Sequence, residues 1–179
     1  MSAPRAAIAV LLALLVIAPT AAAAPSTCAV VVAELPAQPV IARRLEVRAT
    51  ELEGALTTAF LGLVMFASEA NLDVVGPPLA RYRKRGERVV VEAGLPVRAP
   101  PRALRAGLKV LTLPAGPAAV ADHAGRLDAL PKVTRCVRRW VAAHDRVAAG
   151  PAWERYLTNP MTTPDPAQQR AQVVVPLRR

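Results

Sequence analysis

Gly76-Pro77-Pro78-Leu79-Ala80-Arg81-Tyr82 returns 74 residues further on as Gly150-Pro151-Ala152-Trp153-Glu154-Arg155-Tyr156. An earlier segment, Leu35-Pro36-Ala37-Gln38-Pro39, returns as Leu113-Pro114-Ala115-Gly116-Pro117 at an offset of 78. Two anchors recurring in the same order report a duplicated structural unit, because each copy brings the same turns between the same elements. The change of offset falls where a helix and its loops would differ slightly in length. Val89-Val90-Val91 and Val173-Val174-Val175 are a third echo.

Around these anchors the local patterns give each copy the same elements. Cys28 to Leu35 and Val40 to Arg48 are rich in β-branched and apolar residues and are predicted to be a strand pair, punctuated by Pro36 to Pro39. Thr50 followed by Glu53 resembles a capping box, and Leu52, Leu56, Phe60, Leu63 and Ala67 keep helical spacing to about Ala70. Leu79 to Arg83 and Arg88 to Val97 read as two further strands, with Lys84-Arg85-Gly86-Glu87 as the hairpin turn. The second copy repeats the order. Leu108 to Leu113 and Ala118 to Ala124 are strands, and Leu127, Leu130, Val133, Val137, Trp140 and Val141 form the inner face of a helix ending near Gly150. Trp153 to Thr158 and Gln172 to Leu177 complete it, joined by a loop through Met161 to Pro166. The predicted fold is therefore α+β: a duplicated ββαββ unit, with halves about 28–97 and 107–177. It has eight mostly antiparallel strands, two long helices and a central cleft at the pseudo-twofold seam, where clefts form.

One residue breaks the repeat. Glu154 stands where the first copy has Ala80, while Tyr82 and Tyr156 are present in both. Alternation along a strand puts Glu154, Tyr156 and Thr158 on one face and Trp153, Arg155 and Leu157 on the other. If that face looks into the central cleft, the carboxylate and phenol can hold a cationic or hydrogen-bond-donating group on an apolar ligand. Desolvation there would raise the carboxyl's pKa. The competing reading pairs Glu154 with a surface arginine. Tyr82 is assigned to another wall of the pocket. Trp140 is a further ligand-binding candidate, with a core position as its alternative. His123 reads as a packed turn residue, and the two histidines make no metal-ligand spacing with a carboxylate or cysteine. Neither a metal nor a cofactor is expected.

Composition narrows the class of function. The formal charge of +10 comes from scattered arginines, densest between Arg81 and Arg88. No aromatic platform interleaves them, so a nucleic-acid partner is not expected. Arg5 followed by the apolar run Ala6 to Ala18 and the small residues Ala21 to Ala24 reads as an export signal over residues 1–24, with an uncleaved membrane anchor as the alternative. The remainder, 25–179, is long enough for one domain. A periplasmic or secreted location, or attachment to the inner membrane through the N-terminal segment, follows. Export permits a disulfide between Cys28 and Cys136, the only cysteines; the alternative is two small buried residues.

Leu113-Pro114-Ala115-Gly116, His123-Ala124-Gly125, Gly150 to Leu157, Asn159-Pro160 and Val174-Val175-Pro176-Leu177 together resemble the GyrI-like small-molecule-binding domain. Gly76 to Tyr82 and Glu92-Ala93-Gly94-Leu95-Pro96-Val97 agree from the first half, so the resemblance covers about Cys28 to Leu177. It implies the duplicated α+β fold, a ligand pocket at its centre and a pocket glutamate at Glu154. Members that hold aromatic cations often carry a tyrosine two residues after the glycine of the histidine motif, where this chain has Leu127. With only 3% aromatic residues, a bulky apolar ligand suits the lining better than a cage of stacked rings.

Three functions are thereby set against one another. The first is a monomeric periplasmic binder of a bulky hydrophobic small molecule, with or without a cationic group, in which Glu154 and Tyr156 fix its polar part. The second is a hydrolase of reactive small molecules in which Glu154 activates water and Tyr156 or His123 donates a proton. The third is an envelope protein-interaction module with a filled cleft.

Overall fold

Both halves supply strand, strand, helix, strand and strand, but they exchange their first strands. In the computed structural model, which describes residues 28–85, 87–159 and 162–179, the elements of the first half are β1 (Val31–Leu35), β2 (Gln38–Arg48), α1 (Leu52–Glu69), β3 (Leu79–Arg85) and β4 (Arg88–Pro96). Those of the second are β5 (Leu108–Leu113), β6 (Gly116–Ala124), α2 (Leu130–Ala143), β7 (Trp153–Tyr156) and β8 (Arg170–Pro176). The export signal over 1–24, Gly86 of the hairpin turn, and Pro160 with Met161 of the connector lie outside the described residues.

All eight strands join one antiparallel sheet in the order β1-β6-β8-β7-β3-β4-β2-β5. Swapping each strand for its counterpart in the other half turns this order into its own reverse, which is the signature of a local twofold axis between β3 and β7. The expected pairing of β1 with β2 does not occur. Instead β1 pairs with β6 and β5 pairs with β2, so each half completes the other's edge. The short connection at Pro36 and Ala37 does not close a hairpin; Pro36 lacks the backbone N–H that a ladder needs. The chain passes from one end of the sheet to the other there.

Cross-strand partners share a face, so the register sorts the core into two layers. Ile41, Ala93 and Leu95 pack beneath α1 with Leu63 and Phe66, and Ala119, Ala121 and Val173 pack beneath α2 with Val137 and Val141. Both helices therefore lie on one face, each on the strands flanking the central pair. On the other face Val40 and Leu113 from one end of the sheet meet Ala118 and Val120 from the other, around Leu79, Trp153 and Val174. That shared cluster is what curls the sheet into a half-barrel, with the helices outside. Each fully buried aliphatic side chain in these layers stabilises the fold by about 1.5–3 kcal/mol.

The duplication extends to the backbone hydrogen bonds that end each helix. Asn71 and Asp145, 74 residues apart, both adopt the left-handed conformation, with φ of 50° and 52°. The following N–H then turns back to the helix, Leu72 to the Ala67 carbonyl at 2.8 Å and Arg146 to the Val141 carbonyl at 3.0 Å. This is a Schellman-type stop. It also explains why α2 ends at Ala143 rather than near Gly150. At the start of α1 the expected Thr50–Glu53 box is displaced by two residues toward the N-terminus. Ala49–Glu51 form a 3-10 turn, and the Arg48 N–H donates to Glu51 Oε2 at 3.2 Å.

Cys28, just before β1, is joined to Cys136 in α2 by a disulfide, with the Cα atoms 6.1 Å apart. Because β1 lies in the second half of the sheet beside β6, its start sits against the helix of that half. The bridge therefore ties the exchanged segment to the half it completes. A thiol titration is expected to find no reactive cysteine until reductant is added to the unfolded chain. Cys136→Ser should cost about 2–5 kcal/mol of unfolding free energy in urea. Gly94 is a second sensitive point, since a Cβ there would stand 2.6 Å from Val40 Cγ1 and 3.2 Å from Leu79 Cδ1. Gly94→Ala should destabilise the chain by about 1–3 kcal/mol in the same measurement.

Candidate functional site

The central strands β3 and β7 are joined by a short ladder in which Leu79 faces Arg155 and Ala80 faces Glu154. Ala80 is also the cross-strand partner of Ala93, which lies under α1, so Glu154 projects on the helix side of the sheet. It stands between the footprints of the two helices. Trp153, one residue earlier, projects to the helix-free side, as strand alternation requires.

Glu154 is 7% exposed and is the only buried charged residue among those described. The Tyr156 O–H donates to Glu154 Oε2 at 2.9 Å, and the Tyr82 hydroxyl is hydrogen-bonded to that of Tyr156. With Tyr156 donating to the carboxylate, its oxygen accepts from Tyr82, and the three groups form one relay. The edge of Phe60 from α1 meets the Tyr156 ring with centroids 5.7 Å apart. Both tyrosines and one of the two phenylalanines thus gather at the seam, although aromatic residues are scarce in the chain.

Burial pushes the Glu154 carboxyl up to about 7, while the hydrogen bonds from Tyr156 and Tyr82 pull the other way. Burial likewise raises both phenols, and the nearby carboxylate adds to that. No cation contributes to the Glu154 balance. The competing expectation, in which an arginine neutralises Glu154, is not what the site contains. Arg155 projects to the opposite face, and Arg81 is paired with Glu92 at 2.7 Å.

A cavity of about 460 Å³ opens beside the carboxylate, walled by Tyr82, Glu154, Leu52 of α1, and Leu127, Pro131 and Thr134 of the α2 region. Arg138 and Asp128 bring charge to its lining. A second groove, of about 510 Å³ between α1 and β2, contains no comparable buried carboxylate. Sequence reasoning identified Glu154 and Tyr82 but not the α2 wall. Pro131, Thr134 and Arg138 keep helical spacing beside the apolar stripe of Leu130, Val137 and Val141, which was the available signal.

The other candidates do not line the cavity. Tyr156 supports Glu154 without lining the cavity. Trp140 is outside the lining; it packs on the core beneath α2 and stacks on His144 with ring centroids 3.9 Å apart. Its large ring is drawn to the apolar stripe of its own helix rather than to the seam. His123 bonds through Nε2 to the Arg126 carbonyl at 2.8 Å, and the β8 strand separates it from Tyr156. Groups of three or more potential metal ligands are absent among the described residues.

A family model for the GyrI-like small-molecule-binding domain matches residues 29–178. The chain belongs to the GyrI-like family. No curated protein matches the sequence. Among solved structures, this GyrI-like chain is similar to EcmrR in its DNA complex, with a TM-score of 0.72 and 18% identity over 84% of this chain, and it spans 57% of that chain's length. The EcmrR C-terminal domain alone gives a TM-score of 0.68 and 15% identity, covering 85% of this chain and 98% of that one. SAV2435 bound to tetraphenylphosphonium gives 0.54 and 10%, covering 84% and 94%. At these identities the likeness establishes the GyrI-like fold.

The raised carboxyl has a consequence for stability. A group that binds its proton more tightly in the folded state loses stabilisation as pH rises from its unfolded value, about 4.5, to its folded value, about 7. Between about pH 5 and pH 8, Glu154 should therefore contribute a loss on the order of 3 kcal/mol. Urea unfolding of Glu154→Gln is expected to lack that part of the pH dependence and to be more stable than wild type at the upper pH.

Proposed function

We propose that the chain binds a bulky hydrophobic cation in the seam cavity, with the Glu154 carboxylate as its counter-charge. One observation carries the reading: a buried carboxyl group is held by two phenols and by no cation of the described protein. Ionising such a group in an apolar seam is costly, and a ligand that brings its own positive charge removes the cost. The apolar walls of Leu52, Leu127 and Val89 would meet the hydrophobic body of the ligand, and the Tyr82 ring its charged centre. The tetraphenylphosphonium held by SAV2435 is a molecule of this chemical class.

A periplasmic or secreted location forms part of the same reading. It is supported by the basic and then apolar start from Arg5 to Ala18, and by a disulfide of a kind that cytosolic reductants would open.

Tetraphenylphosphonium titrated calorimetrically into the full chain is the direct test, with neutral triphenylphosphine oxide as the comparison. The cation should bind more tightly at about pH 8 than at about pH 6, because the carboxylate is then ionised. Glu154→Gln should weaken it by about tenfold or more while leaving the weak binding of the neutral compound unchanged. Equal affinity of wild type and Glu154→Gln for the cation would refute the counter-charge role.

A further inference from the structure

The local twofold that builds the fold also sets up a comparison between the outer faces of the two helices. At the same offset of 74 that relates Asn71 to Asp145, Leu61 corresponds to Arg135, Val64 to Arg138 and Met65 to Arg139. Inward positions keep their character across the repeat: Leu63 and Val137 are both buried, as are Ala67 and Val141. Outward positions do not. Leu61, Val64 and Met65 are 48%, 51% and 59% exposed on α1, while the arginines opposite them in the repeat are exposed on α2.

Between Gly54 and Ser68, α1 carries no charged residue. The helical stretch Ala49–Glu69 is apolar enough to meet the composition of a membrane span, yet only its inner stripe is covered by the sheet. Val74 and Val75, just beyond its end, add 43% and 39% exposed apolar surface. Lone exposed apolar residues are ordinary, but a row of them on one helix is not. On α2 the same layer presents Lys132, Arg135 and Arg139, all exposed, while Arg138, also exposed, borders the seam cavity. Both helices lie on the convex side of the half-barrel, so one face of the molecule combines an apolar row with a basic row.

We propose that this helix layer docks on an anionic phospholipid surface, α1 entering the headgroup boundary through Leu61, Val64 and Met65 while the α2 arginines meet the phosphates. Charge decides the occupant: the basic row and a net charge of +10 complement anionic lipid. The surface stands apart from the ligand reading above, which uses the seam between the helices rather than their outer faces. One geometric consequence does link them. The cavity is walled by Leu52 of α1 and by Pro131 and Arg138 of α2, so docking would turn its mouth toward the bilayer, from which a hydrophobic molecule could enter.

The test places a fluorophore on a single introduced thiol in the full chain, the native cysteines being engaged in their disulfide. Met65→Cys reports on the α1 outer face. Asp122→Cys, on the strand position after Val120 on the helix-free side, is the control. With vesicles of phosphatidylcholine and phosphatidylglycerol containing brominated acyl chains, the probe at 65 should be quenched and the probe at 122 should not. In a Met65→Cys background, Arg135→Glu with Arg139→Glu should weaken the quenching titration by about tenfold or more, and pure phosphatidylcholine should give little quenching. This comparison works even if the apolar stretch Ala6 to Ala18 inserts by itself, because it reads which face of the domain meets lipid. No quenching at 65, equal quenching at both sites, or quenching insensitive to the arginine reversal would overturn the proposal. So would a probe at 65 that is already shielded without vesicles in a dimer seen by light scattering, since the face would then belong to a second copy. Retained lipid docking by a Glu154→Gln protein that no longer binds tetraphenylphosphonium would separate the two sites.

Discussion

The hydrogen bond from Tyr156 to Glu154 is the interaction around which the centre of the molecule is organised. A carboxyl group removed from water must find donors or remain protonated, and here it has one short relay of phenols and nothing positive. This leaves the group near the midpoint of its titration around neutrality, so its charge answers to whatever enters the adjacent cavity. Were an arginine in the position of Tyr82, the same seam would be a closed ion pair with no use for a ligand. The absence of that internal cation from the described site is what distinguishes this buried acid from one neutralised in an ion pair.

Symmetry explains why the group sits where it does. The local twofold passes between β3 and β7, and a residue there faces its own counterpart across the ladder, as Ala80 faces Glu154. Two glutamates at such a point would repel, and two alanines would leave no polar anchor. One of each gives an asymmetric site in an otherwise repeated frame. The exchange of β1 and β5 protects that frame, because neither half has a complete sheet without the other. The disulfide from Cys28 to α2 adds a covalent tie to the same exchange.

Much of the fold was legible because it depends on local patterning. The element order, the two helices and the alternation that separates Glu154 from Trp153 all follow from period and punctuation, which nearby residues determine. The pairing of β1 was not legible, since a strand with apolar residues on both faces suits either neighbour and the choice rests on contacts with residues far along the chain. Trp140 stayed open between two readings for a similar reason: its aromatic bulk suits a pocket or a core, and only the packing of α2 on β6 and β8 places it against the core. Pro131 and Thr134 were not legible as lining residues, because a cavity wall is made by where a helix stops covering the sheet.

By itself, then, the sequence determined the duplication, the α+β class, the family and the presence of one unmatched acid, because repeats, turns and strand alternation are written in adjacent residues. Tertiary structure decided which strands exchange, that the two cysteines meet, and that the acid is enclosed by two phenols beside an open cavity. Those outcomes depend on bringing together residues separated by half the chain, and no local pattern encodes the distance between them.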